Sequence, residues 1–216
     1  LLLDVASVGP DYQPGHGHAD TLSFEMSLFG KRTFVNRGTS QYGTGEVRQV
    51  ERGTAAHNTV MINGKDSSEV WSGFRVARRA RPFGLLIDNN GRSITFGCAH
   101  DGYKRLSGQP VHWRSWTLAD SSLLIEDKIE GAFKTATAYF HFHPDIKVIC
   151  SGKGQWTLKL PEIDRSVFLI VVKGLPSLMS GIFSPEFGVQ LPAECLEIKF
   201  DSTDEIAVEI SWSTND

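Results

Sequence analysis

Gly15-His16-Gly17-His18-Ala19-Asp20-Thr21-Leu22-Ser23-Phe24-Glu25-Met26-Ser27-Leu28-Phe29-Gly30 carries two signals in one run. In its second half, Leu22, Phe24, Met26 and Leu28 alternate with Ser23, Glu25 and Ser27, the period-two pattern of a strand with one buried face. Phe29-Gly30-Lys31 closes that strand as a turn. In its first half, an extended backbone puts His16, His18 and Asp20 on one face, while Gly15 and Gly17 leave the other bare for close approach.

The same period continues outward. Strand-like segments read at 33–36, 58–62, 74–80, 83–88, 93–99, 111–118, 123–129, 137–143, 146–150, 155–160, 166–172, 188–191, 196–200 and 206–212, each bounded by Gly, Pro, Asn, Asp or Ser. Asn63-Gly64 suits a type I′ hairpin turn, since both residues tolerate positive φ. Residues 37–53 carry four glycines and little apolar periodicity, so they read as a long exposed loop of the kind that holds binding residues. No stretch sustains a helical period for three turns. The expectation is one all-β domain over residues 1–216, a large antiparallel β-sandwich of stacked sheets with about a dozen strands.

With 216 residues, 40% of them hydrophobic, the chain can bury a sizeable core. Its net charge of -3 hides an uneven distribution: residues 1–30 carry 4 acidic and no basic side chains, residues 31–114 carry 14 basic and 6 acidic, and residues 115–216 carry 8 basic and 15 acidic. A basic middle suits an anionic partner. Cys98, Cys150 and Cys195 are too far apart for a C-x-x-C metal or redox pair and give no disulfide framework. Leu1-Leu2-Leu3 is cut short by Asp4 and lacks a basic flank, unlike a signal peptide, and no apolar run reaches the ~20 residues of a membrane span. A start without methionine, directly in a strand-like stretch, reads as a piece of a longer protein.

Two histidines at i and i+2 can share a metal or divide the roles of ligand and proton carrier. His57, in Thr54-Ala55-Ala56-His57-Asn58-Thr59, offers a third nitrogen, and Asp20 or Glu25 a carboxylate. His141 and His143 repeat the spacing among aromatics, as expected of a strand with one polar face. The arginines Arg37, Arg48, Arg52, Arg75, Arg78, Arg79 and Arg81 form a belt whose guanidinium forks match carboxylate and sulfate oxygens. Trp71, Trp113 and Trp116 can stack on sugar rings or fill the core. Basic-aromatic nucleic-acid motifs and recognition helices are absent. Three functions remain open from the residues: an enzyme acting on an acidic polysaccharide, a non-catalytic module that binds an anionic carbohydrate, and a cupin-like metalloenzyme using His16, His18 and Glu25.

Together these segments resemble the carboxy-terminal β domain of heparinase II/III polysaccharide lyases. The resemblance lies in Gly9-Pro10-Asp11-Tyr12, GHGHADTLSFEMSLFG, FVNRGTSQY, RGTAAHNTVMINGKDSSEVW, FRVARRARP, HDGYKRL and YFHFHPD, about two-thirds of the chain. It implies a lyase that cleaves a uronic-acid-containing polysaccharide by β-elimination, with an active site shared with an N-terminal helical toroid that this chain does not contain. It implies His16 as the active-site histidine and Tyr42 as a tyrosine acid or base, with Arg48, Arg52, Arg75 and Arg78 expected at the substrate. It also implies a structural metal, usually zinc, at His18 and His57, with Asn36 at the position where relatives have an aspartate. A neutral amide is the poorer zinc ligand. No organic cofactor is expected, and the compartment implied is the periplasm or the cell exterior.

Overall fold

Alternation in the sequence becomes antiparallel ladders in the computed structural model, which describes residues 1–201 and 205–213. In chain order the strands are β1 (Leu2–Leu3), β2 (Phe24–Leu28), β3 (Lys31–Phe34), β4 (Val60–Ile62), β5 (Val70–Trp71), β6 (Arg75–Val76), β7 (Pro82–Asn89), β8 (Ser93–His100) and β9 (Val111–Ala119). They continue as β10 (Ser122–Glu130), β11 (Ala136–His141), β12 (Lys147–Gly152), β13 (Gln155–Lys159), β14 (Val167–Lys173), β15 (Leu175–Phe183), β16 (Leu191–Phe200) and β17 (Ile206–Trp212). One sheet of eight strands runs β12-β13-β14-β17-β10-β9-β8-β7. Against it lie a four-stranded sheet, β15-β16-β11-β4, and a three-stranded sheet, β1-β2-β3, while β5 and β6 pair separately.

A single apolar cluster joins these layers. Phe24 and Met26 of β2, Phe34 of β3, Phe140 of β11 and Leu196 and Ile198 of β16 meet Trp116 of β9, Ile125 of β10, Leu169 of β14 and Val208 and Ile210 of β17. This is the expected all-β sandwich.

One polar network runs through that core. On the inner face of the large sheet, Gly102 N–H donates to His100 Nδ1 at 3.1 Å, which leaves the proton of His100 on Nε2. That Nε2–H faces His112 Nδ1 at 3.2 Å, and His112 Nε2–H in turn donates to Asp127 Oδ1 at 2.6 Å. Arg114 closes the network: its Nε and one terminal nitrogen donate to the two Asp127 oxygens, and the other donates to the Leu22 and Asn58 carbonyls. Burial pushes the Asp127 carboxyl up, but Arg114 and His112 outweigh it and hold its pKa at about 2.

Several sequence expectations change. Residues 37–53 are not simply an exposed loop: Glu46–Arg52 form a short helix, α1, whose inner face buries Arg48, Glu51 and Arg52. A run of glycines hid it, and only two turns of helix are present. The expected strand at 74–80 shrinks to β6, beyond which Ala77 N–H donates to the Glu69 carbonyl and Glu69 N–H to the Arg78 carbonyl outside any regular ladder. The strand expected at 188–191 is a turn leading into β16, and β15 was not foreseen. That strand holds Pro176, Ser180 and Gly181 and forms the sheet's edge, where weak strand formers are tolerated. Asn63 and Gly64 both have positive φ and close the expected tight turn, with an antiparallel bridge from Ile62 to Lys65, while the ladder partner of β4 is β11.

Candidate active site

The glycine-histidine run leaves the sheet just before β2 and crosses the irregular edge of the sandwich. A side chain at Gly17 would crowd its neighbours: an added Cβ would lie 2.8 Å from Val8 Cγ1 and 3.1 Å from the Pro14 carbonyl. His16 is exposed and stands edge-on to Tyr42 and Phe74, with ring centroids 5.6 and 5.5 Å away. Tyr42 and Phe74 touch each other at 5.3 Å, and Phe187 packs on the far side of Tyr42 at 5.1 Å. Their two loops meet at Gly73, where a Cβ would come within 2.6 Å of the Gly43 carbonyl. Behind His16 lies a cavity of about 380 Å³ lined by Asp4, Gln13, His16, His18 and Asp20 among others. Burial, then the nearby Asp4 charge, pushes the Asp20 carboxyl up to about 7.

His18 and His57 are brought together as expected, with His18 Nδ1 3.3 Å from His57 Nε2. The third group in contact with this pair is a guanidinium. Arg48 donates to His18 Nε2 at 3.2 Å and to Thr39 Oγ1 at 3.2 Å, and its charged end lies 5.3 Å from the Tyr42 ring centroid. Burial, with Arg48 and Arg52 adding to it, pulls the His18 pKa down to about 4, and burial holds His57 well below its ordinary value, so both imidazoles are neutral. Asn36 Oδ1 accepts the Asn58 backbone N–H at 3.0 Å. Asn58 then spans the layers through Nδ2 to the Phe24 carbonyl and Oδ1 from the His141 N–H.

A zinc ion fits these donors poorly. The N···N distance alone does not exclude it, since two nitrogens at about 2.0–2.1 Å from one tetrahedral zinc are separated by roughly this distance. The protons argue against it. Arginine has only donors, so His18 Nε2 accepts and its proton sits on Nδ1, the atom that a metal would need bare. A metal-bound imidazole usually gives its outer N–H to a carboxylate or carbonyl, and the outer nitrogen of His18 faces a guanidinium. Among the described residues no third histidine, cysteine or carboxylate completes a group with these two.

The arginine belt divides. Arg52 is fully buried, and its donors reach the Gly17 carbonyl at 3.0 and 3.2 Å, that of Ser72 at 3.1 Å and that of Arg75 at 3.2 Å. Its fork is spent on the protein's own backbone, as Arg48 is on His18 and Thr39, so the expectation that either meets substrate gives way to a supporting position. Arg75 lies over exposed Trp71, 5.5 Å from its ring centroid, and is open to solvent. Arg78 is exposed but forked onto Glu69. Glu25 bonds the Asn36 N–H and Arg32, away from His16 and His18, so the cupin-like triad is not assembled. His141 is a core residue: its Nε2–H donates to the Ala55 carbonyl at 2.9 Å. Phe74, a wall of the His16 cage, was missed because nothing in its own sequence context marks a contact made through Gly73.

The heparinase II/III-like, C-terminal family matches residues 1–213. No curated protein matches by sequence. Among solved structures, heparan sulfate lyase HepC from Pedobacter heparinus superposes with a TM-score of 0.76 at 12% identity, over 93% of this chain and 31% of that one. A structure titled Heparinase III gives 0.74 at 16% identity, over 94% and 32%. The Heparinase III BT4657 gene product gives 0.73 at 19% identity, over 92% and 31%. The chain thus spans about a third of the length of the solved structures it matches, and at such identities they establish a shared fold.

Proposed function

The chain belongs to the heparinase II/III-like C-terminal family, and on that premise we propose that it is the β domain of a lyase cleaving a uronate-containing acidic polysaccharide, such as a glycosaminoglycan, by β-elimination. The observation that carries this reading is His16, exposed and held edge-on between Tyr42 and Phe74 at the wall of a polar cavity. In the reaction a base takes the C5 proton, the electron pair forms the C4–C5 double bond, the C4–O bond breaks, and the departing sugar oxygen receives a proton. His16 and Tyr42 are the pair assigned to that proton traffic. The C5 proton is only weakly acidic, so a cation must neutralise the adjoining carboxylate as charge develops. Arg75, exposed over Trp71 and next in sequence to Phe74, is the guanidinium assigned to that contact.

The rest of the site is assigned to a helical toroid domain of the same protein, and the activity to the joined pair, working in the periplasm or outside the cell. No described helix of this chain is long and apolar enough to cross a membrane. The test uses the full-length protein on a panel of uronate polymers, following the ultraviolet absorbance of the unsaturated product. His16→Ala should lower turnover by at least about 100-fold, the scale of a lost general acid or base. Unchanged turnover would remove His16 from the mechanism. Salt-sensitive glycan binding without product would instead favour a non-catalytic carbohydrate-binding module.

A further inference from the structure

We propose that the histidine pair is a metal-free clamp in which Arg48 supplies the positive charge that a bound cation would otherwise provide. The hydrogen-bond directions form one consistent chain. Arg48 donates to His18 Nε2, His18 Nδ1–H donates to His57 Nε2, and the His57 proton is left on Nδ1, a buried nitrogen with no hydrogen-bond partner among the described residues. Each link fixes the next tautomer, because an imidazole that accepts on one nitrogen carries its proton on the other. A divalent ion between the rings would need the His18 proton moved to Nε2. There it would point at a donor, with a second positive charge just across the ring.

Asn36 agrees with this. Its side-chain oxygen is neutral and already accepts the Asn58 N–H, so it brings no negative charge to offset an ion. Glu25 bonds the Asn36 N–H and Arg32, and so does not replace it. The clamp ties the glycine-histidine run to the segment after α1 without a metal, and it reaches the cage, since the same guanidinium lies against Tyr42. Arg48 is therefore a positioning residue, serving His18 and Tyr42 together.

The test does not depend on the lyase reading. Full-length protein expressed in zinc-supplemented medium and purified without chelators is analysed for bound metal by mass spectrometry, and its thermal unfolding is followed with and without EDTA. The expected result is well below one zinc per chain and an unchanged Tm on chelation. Histidine-¹⁵N spectra of the same protein should show His18 protonated at Nδ1. One zinc per chain with a Tm lowered by EDTA would overturn the proposal, as would a His18 protonated at Nε2. The converse variant, Asn36→Asp with Arg48→Gln, introduces a carboxylate and removes the guanidinium, and should gain a zinc-dependent rise in Tm. Failure of that folded variant to take zinc would refute the assignment of Asn36 and Arg48 as the residues that exclude it.

Discussion

Asp127→Ala is the substitution whose cost follows most directly from the core. It removes the acceptor of three hydrogen bonds, from Arg114 Nε at 2.7 Å, from an Arg114 terminal nitrogen at 2.8 Å and from His112 Nε2 at 2.6 Å. All three residues are fully buried, so no water takes over. Removing one partner of such a pair leaves an uncompensated charge and costs about 3–5 kcal/mol, against a total of about 5–15 kcal/mol for a domain. Urea unfolding at neutral pH should therefore show a loss of at least about 3 kcal/mol. A double-mutant cycle with Arg114→Met should give a coupling of about 2 kcal/mol or more, because the second change removes the stranded charge. The recovery should be incomplete, since Arg114 also serves the Leu22 and Asn58 carbonyls. A loss under about 1 kcal/mol for Asp127→Ala would show that the network is solvated or relaxes, and would refute this account of the core.

Arg52→Ala removes the charged donor of the part-buried Gly17, Ser72 and Arg75 carbonyls, and should cost about 2 kcal/mol in the same urea assay. Tyr42→Phe keeps the ring contacts and loses the hydroxyl, so turnover of the full-length protein should fall by about 100-fold with Tm nearly unchanged. Acidification should destabilise this chain. His100 lies well below its ordinary pKa and His141 at about 3, both lowered chiefly by burial. A lowered histidine pKa means that the unfolded chain binds the proton first, so stability is full above about pH 6.5 and falls as pH drops below it. Between pH 7.5 and 5.5 each contributes a loss of about 1.4 kcal/mol, readable by urea unfolding at the two pH values. Asp20, raised to about 7, works in the opposite sense over that range, so Asp20→Asn should steepen the loss.

What was legible in the sequence was whatever rests on local pattern. Period-two alternation in residues 22–28, 111–118 and 123–129 yielded strands β2, β9 and β10, because each has one buried face and the pleat fixes which residues occupy it. The partnership of His18 with His57 was legible through the family resemblance. The side-chain pairings that build the site were not. Arg48 and Arg52 read as substrate arginines because charge invites an external partner, yet their guanidinium groups turn inward from α1 to a histidine and to backbone carbonyls. An isolated sequence does not show whether an arginine's partner is a ligand or the protein's own backbone. β15 was illegible for a different reason: an edge strand needs hydrogen bonds on only one side, so Pro176 and Gly181 are tolerated there.

Those inward arginines explain how an irregular site is held on a regular scaffold. The segments that carry His16, Tyr42 and His57 belong to no ladder, so their buried N–H and C=O groups need partners from elsewhere. Side chains supply them. Arg52 reaches the Gly17 carbonyl between His16 and His18, Arg114 reaches the Leu22 and Asn58 carbonyls from the large sheet, Asn58 bridges β2 and β11, and Thr59 Oγ1 donates to the Thr21 carbonyl. Arg52 and Arg114 reach these segments from α1 and β9, while Asn58 and Thr59 lie in the His57 segment and tie it to Phe24 and Thr21 beyond the His16–His18 run. Geometry at His16 is thus set from below, by buried polar groups fixed before any substrate arrives, while its open side stays free. It follows that variants at Arg52, Asn58 or Arg114 should impair the site without touching substrate, whereas Tyr42 and His16 variants should leave the fold intact. A Tyr42→Phe protein that lost stability as severely as Arg52→Ala would show that cage and support are one unit, and would undo this division.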